Sequence, residues 1–455
     1  MRPSKRLLSL VAAWLALAGL VFAVRIAAVL QPSDKDLLAN ASQSAQEFAN
    51  LWWLLGGVLL VAAWIDAVRQ RRYPMLRVVR QLPHSLALGA EAKVSLRIEN
   101  GYDFSVQLEL TDYYPAEVET QALPIICSIE ANAHKDVDYL IRPIRRGAAE
   151  FGKTHLRIES RWRLWQKRQQ QGELQSLKIY PNFAPIAKLA MMGLEHQLSQ
   201  LGVHLQQRRG DGSDFHQLRE FREGDAIRQI DWKATARHSK AISRDYQDER
   251  DQSVIFLLDC GRRLRNKDDE FSHFDHALNA LLLTSYVALR QGDAVGLMTF
   301  AGEERWLNPV KGPANINVLL NQLYDLHSGT TTSDYVEAAE RLVGRYSKRS
   351  LVILITNVQE EDSDDLNTAI GILTKRHLVV VASLQEAIIQ SCIDIPVKTI
   401  SDALSYCGAN DHLEQRRKLL HRLQNLGVGM TDAQPQHLHH ALLAEYLRLK
   451  RSGKI

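Results

Sequence analysis

At 455 residues the chain is long enough for two or three domains, each burying its own core. A formal net charge of +4 is small for that length, so overall charge gives no reason to expect a nucleic-acid partner. The four cysteines, Cys127, Cys260, Cys392 and Cys407, are widely spaced without a C-x-x-C, which excludes a disulfide framework and a zinc site and fits a reducing compartment.

Two stretches near the start read as membrane spans. Leu7 to Val24 carries no charge over 18 residues, and apolar character resumes after Arg25 as far as Leu30. The second, Leu51 to Ile65, extends to Val68 if Asp66 lies at the interface. Each approaches the roughly 20 residues that cross a bilayer. Trp52 and Trp53 open the second span where an aromatic belt belongs, and Arg25 interrupts any cleavage region of a signal peptide. Arg2, Lys5 and Arg6 precede the first span, and Arg69, Arg71, Arg72 and Arg77 follow the second. The linker Gln31 to Asn50 instead sets Asp34, Asp36 and Glu47 against Lys35. Positive-inside bias therefore places both termini in the cytoplasm and a short periplasmic linker outside, with the soluble part tethered to the inner membrane.

Residues 73–183 alternate apolar and polar, as half-buried strands do. The clearest runs are Arg77 to Leu82, Ala92 to Glu99, Val106 to Asp112, Val137 to Arg142 and Thr154 to Glu159. Asn100-Gly101, Gly89, Pro115, Pro124 and Gly147 punctuate them, and the pattern predicts a small β-sandwich. No His, Cys or carboxylate cluster recurs there at ligand spacing, so this domain receives no chemistry. Trp162 to Trp165 (WRLW) is expected to pack against its membrane-proximal face.

Residues 184–252 open with a helix expected over Pro185 to Gln200, followed by a dense charged block. Between Arg208 and Asp251 ten positive and ten negative side chains interleave. A phosphate-binding patch needs excess positive charge to release counterions, so nucleic acid is a poor fit. Balanced charge suits an ion-pair network, with Arg228, Asp231 and Arg237 as its centre and Trp232 and Phe221 as an apolar anchor beneath. Gly210, Gly212 and Gly224 permit tight or left-handed backbone. The rival is a hydrolase using Asp225 and Asp231 as acid and base, against which His216 and His238 stand isolated and no nucleophile has activating neighbours.

The block also resembles the signature of the domain-of-unknown-function 58 family. Gly210, Gly212, Asp214, Phe215, Leu218, Arg219, Phe221, Gly224, Asp225, Arg228, Ile230, Asp231, Trp232, Ala236, Arg237 and Glu249 stand on its pattern. The paired spans, the β-rich spacer and the domain that follows fit the same resemblance.

Over 253–410 strands and helices alternate. Ser253 to Asp259, Ala294 to Phe300, Leu351 to Thr356 and Leu378 to Ala382 read as buried strands. Phe274 to Arg290, Ile316 to Leu326, Asp334 to Tyr346 and Leu366 to Lys375 read as helices between them. That alternation predicts an α/β fold, a mostly parallel sheet covered on both faces, whose functional edge is the carboxyl end of the strands. The family resemblance makes this a von Willebrand factor A-like domain, which often carries a metal-ion-dependent adhesion site. Asp259 matches that site, but Gly261 and Arg263 replace its serines and Asn357 replaces its last acid, while Gly329 to Asp334 keeps hydroxyls in Thr330, Thr331, Thr332 and Ser333. Hard cations need oxygen ligands and net negative charge, so magnesium is disfavoured and an adhesion-type metal protein is a second rival. Asp259, Gly261, Arg263, Thr332, Ser333 and Asn357 are instead expected to form a metal-free partner-binding edge, with Arg263 filling the cation position against Asp259.

Residues 411–455 look like a basic helical tail, with Arg416, Arg417, Lys418, Arg422, Arg448, Lys450, Arg451 and Lys454. They are candidates for an anionic leaflet or a partner contact, and His437, His439 and His440 are expected exposed on a helix. No P-loop, G-x-S-x-G or H-E-x-x-H is present, which points away from an enzyme. The resemblance implies a membrane-anchored adaptor working with a MoxR-type AAA+ ATPase on protein clients, without a cofactor.

Overall fold

The structure, a computed structural model, describes residues 1–30, 35–182, 214–222, 227, 230–238, 240–247, 252–268 and 270–453. It divides into two compact units, Met1–Ile179 and Tyr180–Ile455.

The first unit begins with a short strand β1 (Arg2–Pro3) and two helices, α1 (Lys5–Leu30) and α2 (Lys35–Arg72). Among the described residues one segment, Gln46–Arg72, is long and apolar enough to cross a membrane. The helices meet through Trp14 and Trp52, whose rings stack 4.2 Å apart. Each indole N–H donates to the other residue's carbonyl, at 3.0 and 2.9 Å. Gly56 permits this approach, because a Cβ there would lie 2.7 Å from the Trp14 ring.

Eleven further strands follow: β2 (Arg77–Gln81), β3 (Ser85–Ala87), β4 (Ala92–Glu99), β5 (Val106–Thr111), β6 (Val118–Glu119), β7 (Ile125–Ile129), β8 (His134–Pro143), β9 (Gly147–Phe151), β10 (Thr154–Glu159), β11 (Trp165–Gln171) and β12 (Gln175–Tyr180). They form sheets of order β1-β11-β10-β5-β7, β2-β4-β8-β6 and β3-β12-β9. Alternation does the sorting: Val94, Leu96 and Ile98 of β4 are buried, as are Val137, Tyr139 and Ile141 of β8 and Leu156 and Ile158 of β10. A buried ion pair ties the sheets together. Arg80 of β2 grips Asp112 with Nε at 2.9 Å and Nη2 at 2.5 Å. Tyr139 and Thr154 also donate to that carboxylate, at 2.6 and 2.9 Å.

The β10–β11 turn anchors α2. Trp165 donates its indole N–H to the Ala63 carbonyl at 2.8 Å, and Leu164 packs with Leu7 and Ala63. Asp66 is buried and accepts the Ser160 hydroxyl at 2.5 Å and the Trp162 amide at 3.4 Å. Asp66 is thus enclosed by protein. Trp162 itself stays exposed.

The second unit opens with a two-stranded hairpin, β13 (Asp214–Glu220) and β14 (Ile242–Gln247), with α3 (Trp232–His238) between its strands. A six-stranded sheet follows, of order β17-β16-β15-β18-β19-β20. Its strands are β15 (Ser253–Asp259), β16 (Ala294–Phe300), β17 (Trp306–Lys311), β18 (Leu351–Thr356), β19 (Leu378–Leu384) and β20 (Gly429–Ala433). All neighbours are parallel except β16 and β17. The edge strand β17 carries Pro309, which an edge tolerates because no ladder hydrogen bond is lost on its open side.

The remaining helices are α4 (His273–Arg290), α5 (Ile316–Leu323), α6 (Tyr335–Arg345), α7 (Ser363–Leu373), α8 (Ala387–Asp394), α9 (Ile400–Asn425) and α10 (Leu438–Arg451). Alternate residues of β15 separate two cores. Val254, Phe256 and Leu258 pack with α4, α5 and α10, whereas Ile255 and Leu257 pack with α6, α7 and α9.

The expected basic tail is therefore not a tail. The boundary at residues 410 and 411 falls inside α9, and β20 pairs in register with β19. α10 buries Leu438, Leu442, Leu443, Tyr446, Leu447 and Leu449. Its Lys450 pairs at 2.6 Å with Asp293, whose side chain is wholly buried, so that cation is committed to the domain. Arg416 is buried as well. His437 and His440 are exposed as expected, but His439 is half-buried and packs against His440, their tilted rings 4.0 Å apart. Burial, reinforced by His440, His276 and His437, pushes the His439 imidazole down to about 4.

Candidate functional site

Helix α3 shows what part of the charged block does. Asp231 precedes it, and its Oδ1 accepts the amides of Lys233 at 2.9 Å and Ala234 at 3.0 Å. This is an N-cap, the geometry that satisfies otherwise orphaned amides at a helix start. Thr235 accepts the Ile242 amide at 3.0 Å and ties the helix to β14. Lys240 pairs with Glu220 across the hairpin at 3.0 Å. Trp232 is 69 % exposed and Leu218 is exposed too, so Trp232 is not the buried anchor expected beneath the block. Arg237 lies exposed on α3, and Arg219 donates to the Glu220 carbonyl. Backbone pairing places Asp214 opposite Gln247 and Phe215 opposite Tyr246. Gly210, Gly212, Gly224, Asp225, Arg228, Glu249 and the helix expected over 185–200 lie outside the described residues.

At the carboxyl edge of the parallel sheet the structure brings several candidates together. Asp259 ends β15 and is completely buried. Its Oδ1 accepts the Gly261 amide at 2.8 Å, and Ser333 donates to Oδ1 and Oδ2 at 2.7 and 2.8 Å. Thr356, the last residue of β18, donates to Oδ2 at 2.7 Å and shares a 3.0 Å hydrogen bond with the Tyr335 hydroxyl. An isolated carboxylate at that depth costs several kcal/mol, and hydrogen bonds to a charged group offset about 1.5–3 kcal/mol each. Burial raises the Asp259 carboxyl above the ordinary carboxylate range, while its three donors pull the other way.

Gly261 has a steric role. A Cβ there would lie 2.7 Å from Ser333 Oγ, 2.8 Å from the Thr331 carbonyl and 3.0 Å from Asp259 Oδ1. Its missing side chain lets the 329–333 loop close directly onto Asp259. Ser333 makes that contact, whereas Thr332 is exposed.

Arg263 does not pair with Asp259, contrary to expectation. Its Nη2 donates to Glu361 and Asp362, both at 2.9 Å. Those acids belong to the loop after β18, nearer than the buried carboxylate already satisfied by hydroxyls. The donor set does not fit magnesium. One carboxylate is present with both oxygens engaged, Asn357 stands where a second acid would, and Gly261 supplies no hydroxyl. Among the described residues no group of three or more His, Cys, Asp or Glu is placed to hold a metal.

Asn357 belongs to a second network, organised by Arg416, one of the cations expected on a basic tail. Arg416 reaches from α9 across the strand ends. It donates to Asn357 Oδ1 at 3.1 Å, the Val358 carbonyl at 2.6 Å, Ser383 Oγ at 2.6 Å and the Leu384 carbonyl at 2.7 Å. It also pairs with Asp432 of β20 at 2.7 Å. Asn357 in turn donates to Glu386 Oε1 at 2.9 Å, an oxygen that Asn266 and Gln359 also approach, at 3.0 and 3.4 Å. The guanidinium fork thus staples the ends of β18, β19 and β20. One arginine in the basic run Arg416-Arg417-Lys418 of a long charged helix gives no sign of this in the sequence.

Residues 217–392 match the family model described as protein of unknown function DUF58. The DUF58 match begins within β13 and ends within α8, so it includes Asp259, Ser333 and Thr356 but not Arg416 or Asp432. No curated protein matches the chain. Among solved structures, an aerotolerance-related membrane protein from Bacteroides fragilis is similar at 14 % identity over 44 % of this chain and 99 % of that one, with a TM-score of 0.27. A native α2-macroglobulin fragment from Escherichia coli is similar at 15 % identity and a TM-score of 0.20. That likeness covers 24 % of this chain, which spans only 17 % of the fragment's length. A CARDB domain from Pyrococcus furiosus gives 11 % identity, 24 % and 90 % coverage and a TM-score of 0.19.

Proposed function

We propose that this protein is a non-enzymatic, membrane-anchored adaptor whose second unit, a von Willebrand factor A-like domain, presents its carboxyl edge to protein ligands. In this reading α1 and the later part of α2 cross the inner membrane, residues 31–50 are periplasmic, and everything after Arg72 is cytoplasmic. The partner is a MoxR-type AAA+ ATPase, which supplies the energy for assembling or remodelling protein clients.

One observation carries the reading. The polar groups gathered at the carboxyl edge are committed to one another: Asp259 to Gly261, Ser333 and Thr356, and Arg416 to Asn357, Ser383 and Asp432. General acid, base or nucleophilic work needs a group within reach of substrate and able to change its proton or attack. A locked edge is suited to holding loops in one shape for recognition. The segment Gln46–Arg72 supports the anchor: its 27 residues are long and apolar enough to cross a membrane as a helix.

The test is crosslinking followed by affinity capture of the full chain from native membranes. Stoichiometric recovery of an AAA+ ATPase, lost when the 262–266 and 359–361 edge loops are replaced by Gly-Ser segments, is the expected result. Clean absence of any such ATPase would remove the reading.

A further inference from the structure

The edge described above is sealed at Asp259, but a cleft of about 390 Å³ opens just outside it, lined by Arg262, Arg263, Asn266, Gln359 and Glu361. Its position follows from topology. From β15 the chain builds the sheet outward through β16 on one side, then returns to β18 on the other. The loops after β15 and β18 therefore diverge, and in open α/β sheets such a switch point leaves a crevice outside the strand ends. Arg262, Arg263 and Asn266 come from the first loop, Gln359 and Glu361 from the second.

The cleft's chemistry is that of a carboxylate receptor, and it already holds carboxylates of its own. Arg263 donates to Glu361 and Asp362, and the amides of Asn266 and Gln359 reach Glu386. Glu361 is loosely placed, with its side chain 73 % exposed, whereas Asp362 is only 13 % exposed. Arg262 is exposed, and among the described residues its guanidinium makes no hydrogen bond, although its amide is fixed on the Thr331 carbonyl at 3.0 Å. One open guanidinium beside a displaceable acid matches a single negative charge. A phosphate dianion would meet Glu361, Asp362 and Glu386 together.

We propose that this cleft receives the side-chain carboxylate of an acidic residue on a protein partner, with Arg262 as its fork and Glu361 as the internal acid it displaces from Arg263. The proposal rests on the interaction reading and names the chemistry that the partner presents. Guanidinium–carboxylate pairing is bidentate and directional, so it specifies one acid on the partner's surface.

The probe is a fluorescein-labelled Gly-Ser peptide containing six glutamates, titrated by polarisation into the full chain in detergent micelles. Matched peptides with six glutamines or six phosphoserines serve as comparisons. The expected order is glutamate tightest. R262Q weakens glutamate binding about tenfold, the loss of one charge-assisted pair. E361Q strengthens it, R290Q at the opposite, amino edge of the sheet leaves it unchanged, and all three variants melt with the parent. No binding of the glutamate peptide, equal binding by R262Q, or tighter binding of the glutamine or phosphoserine peptide overturns the proposal. Capture from membranes separates the two readings. If R262Q recovers the same ATPase as the parent in equal amount, the cleft assignment fails and the adaptor reading stands; if neither recovers one, the adaptor reading itself fails.

Discussion

Asp259 is a carboxyl group wholly buried at the end of a strand. A carboxyl group raised by burial favours its protonated form in the folded state. The sign follows from linkage: the stability tied to that proton is fully present below the ordinary carboxylate value near 4 and is lost as pH rises through the higher folded value. Asp259→Asn keeps the shape without the buried charge, and the Ser333 and Thr356 hydroxyls can rotate to accept its N–H groups. The expected outcome is that the stability of D259N relative to the parent improves as pH rises above the ordinary carboxylate value near 4. Asp259→Ala, by contrast, orphans three donors and costs about 2–4 kcal/mol near pH 4, a cost that shrinks with rising pH through the same linkage. Urea melts across that range check both, and a pH-independent gap between parent and D259N refutes the burial argument. Much of this was legible beforehand. An acid at the end of a continuous apolar strand, with a glycine two residues on, marked the edge. The hydroxyl of Thr356 was not, because its residue reads as the last member of the strand LVILIT and only parallel pairing of β15 with β18 brings it beside Asp259.

At the level of elements, the buried pair Arg80–Asp112 joins β2 to the end of β5, with side chains 2 % and 0 % exposed. Two charges out of water repay their desolvation only through ideal geometry and further donors, here Tyr139 and Thr154. Arg80→Met or Asp112→Leu alone should cost about 3–5 kcal/mol, and the double variant far less than the sum, since no lone charge remains. Chemical denaturation of the four members of that cycle measures it; additive losses would show that the partners act separately. Strand alternation announced β2, β4, β5 and β10 almost to the residue, because a period of two survives wherever one face is buried. It could not announce the Arg80–Asp112 pair. Polar residues at inward positions look like errors in the pattern until both sheets are in place. The same limit applies to α3, where Asp231 looked like an ion-pair or acid–base candidate and is seen capping a helix of seven residues.

Across the molecule, the order of elements was readable and their closure was not. Continuous apolar strands between amphipathic helices identified β15, β16, β18 and β19, the buried centre of the sheet. β20 escaped because GMTDA carries little apolar signal and follows β19 only after α8 and α9. Its neighbour α10 was masked by its charges, although its buried stripe of leucines lies against α4. A chain ending at residue 410 should therefore fail to yield a folded second unit. It loses a strand, the Arg416 staple and the Lys450–Asp293 pair together, and it exposes the apolar flank of α4. Limited proteolysis and yield of soluble material after detergent removal read this out. A protease-resistant 1–410 chain would mean that the last strand and helix are dispensable.

The late position of β20 also bears on how the protein is made. During synthesis β19 emerges with one edge unpaired until residues up to 433 have followed it. A parallel partner that arrives more than forty residues later leaves an open edge during synthesis, the exposure that invites pairing between nascent chains. Neighbouring ribosomes translating one message would bring such edges close together. Translation speed over 385–433 is therefore expected to set how much of the product reaches the folded state.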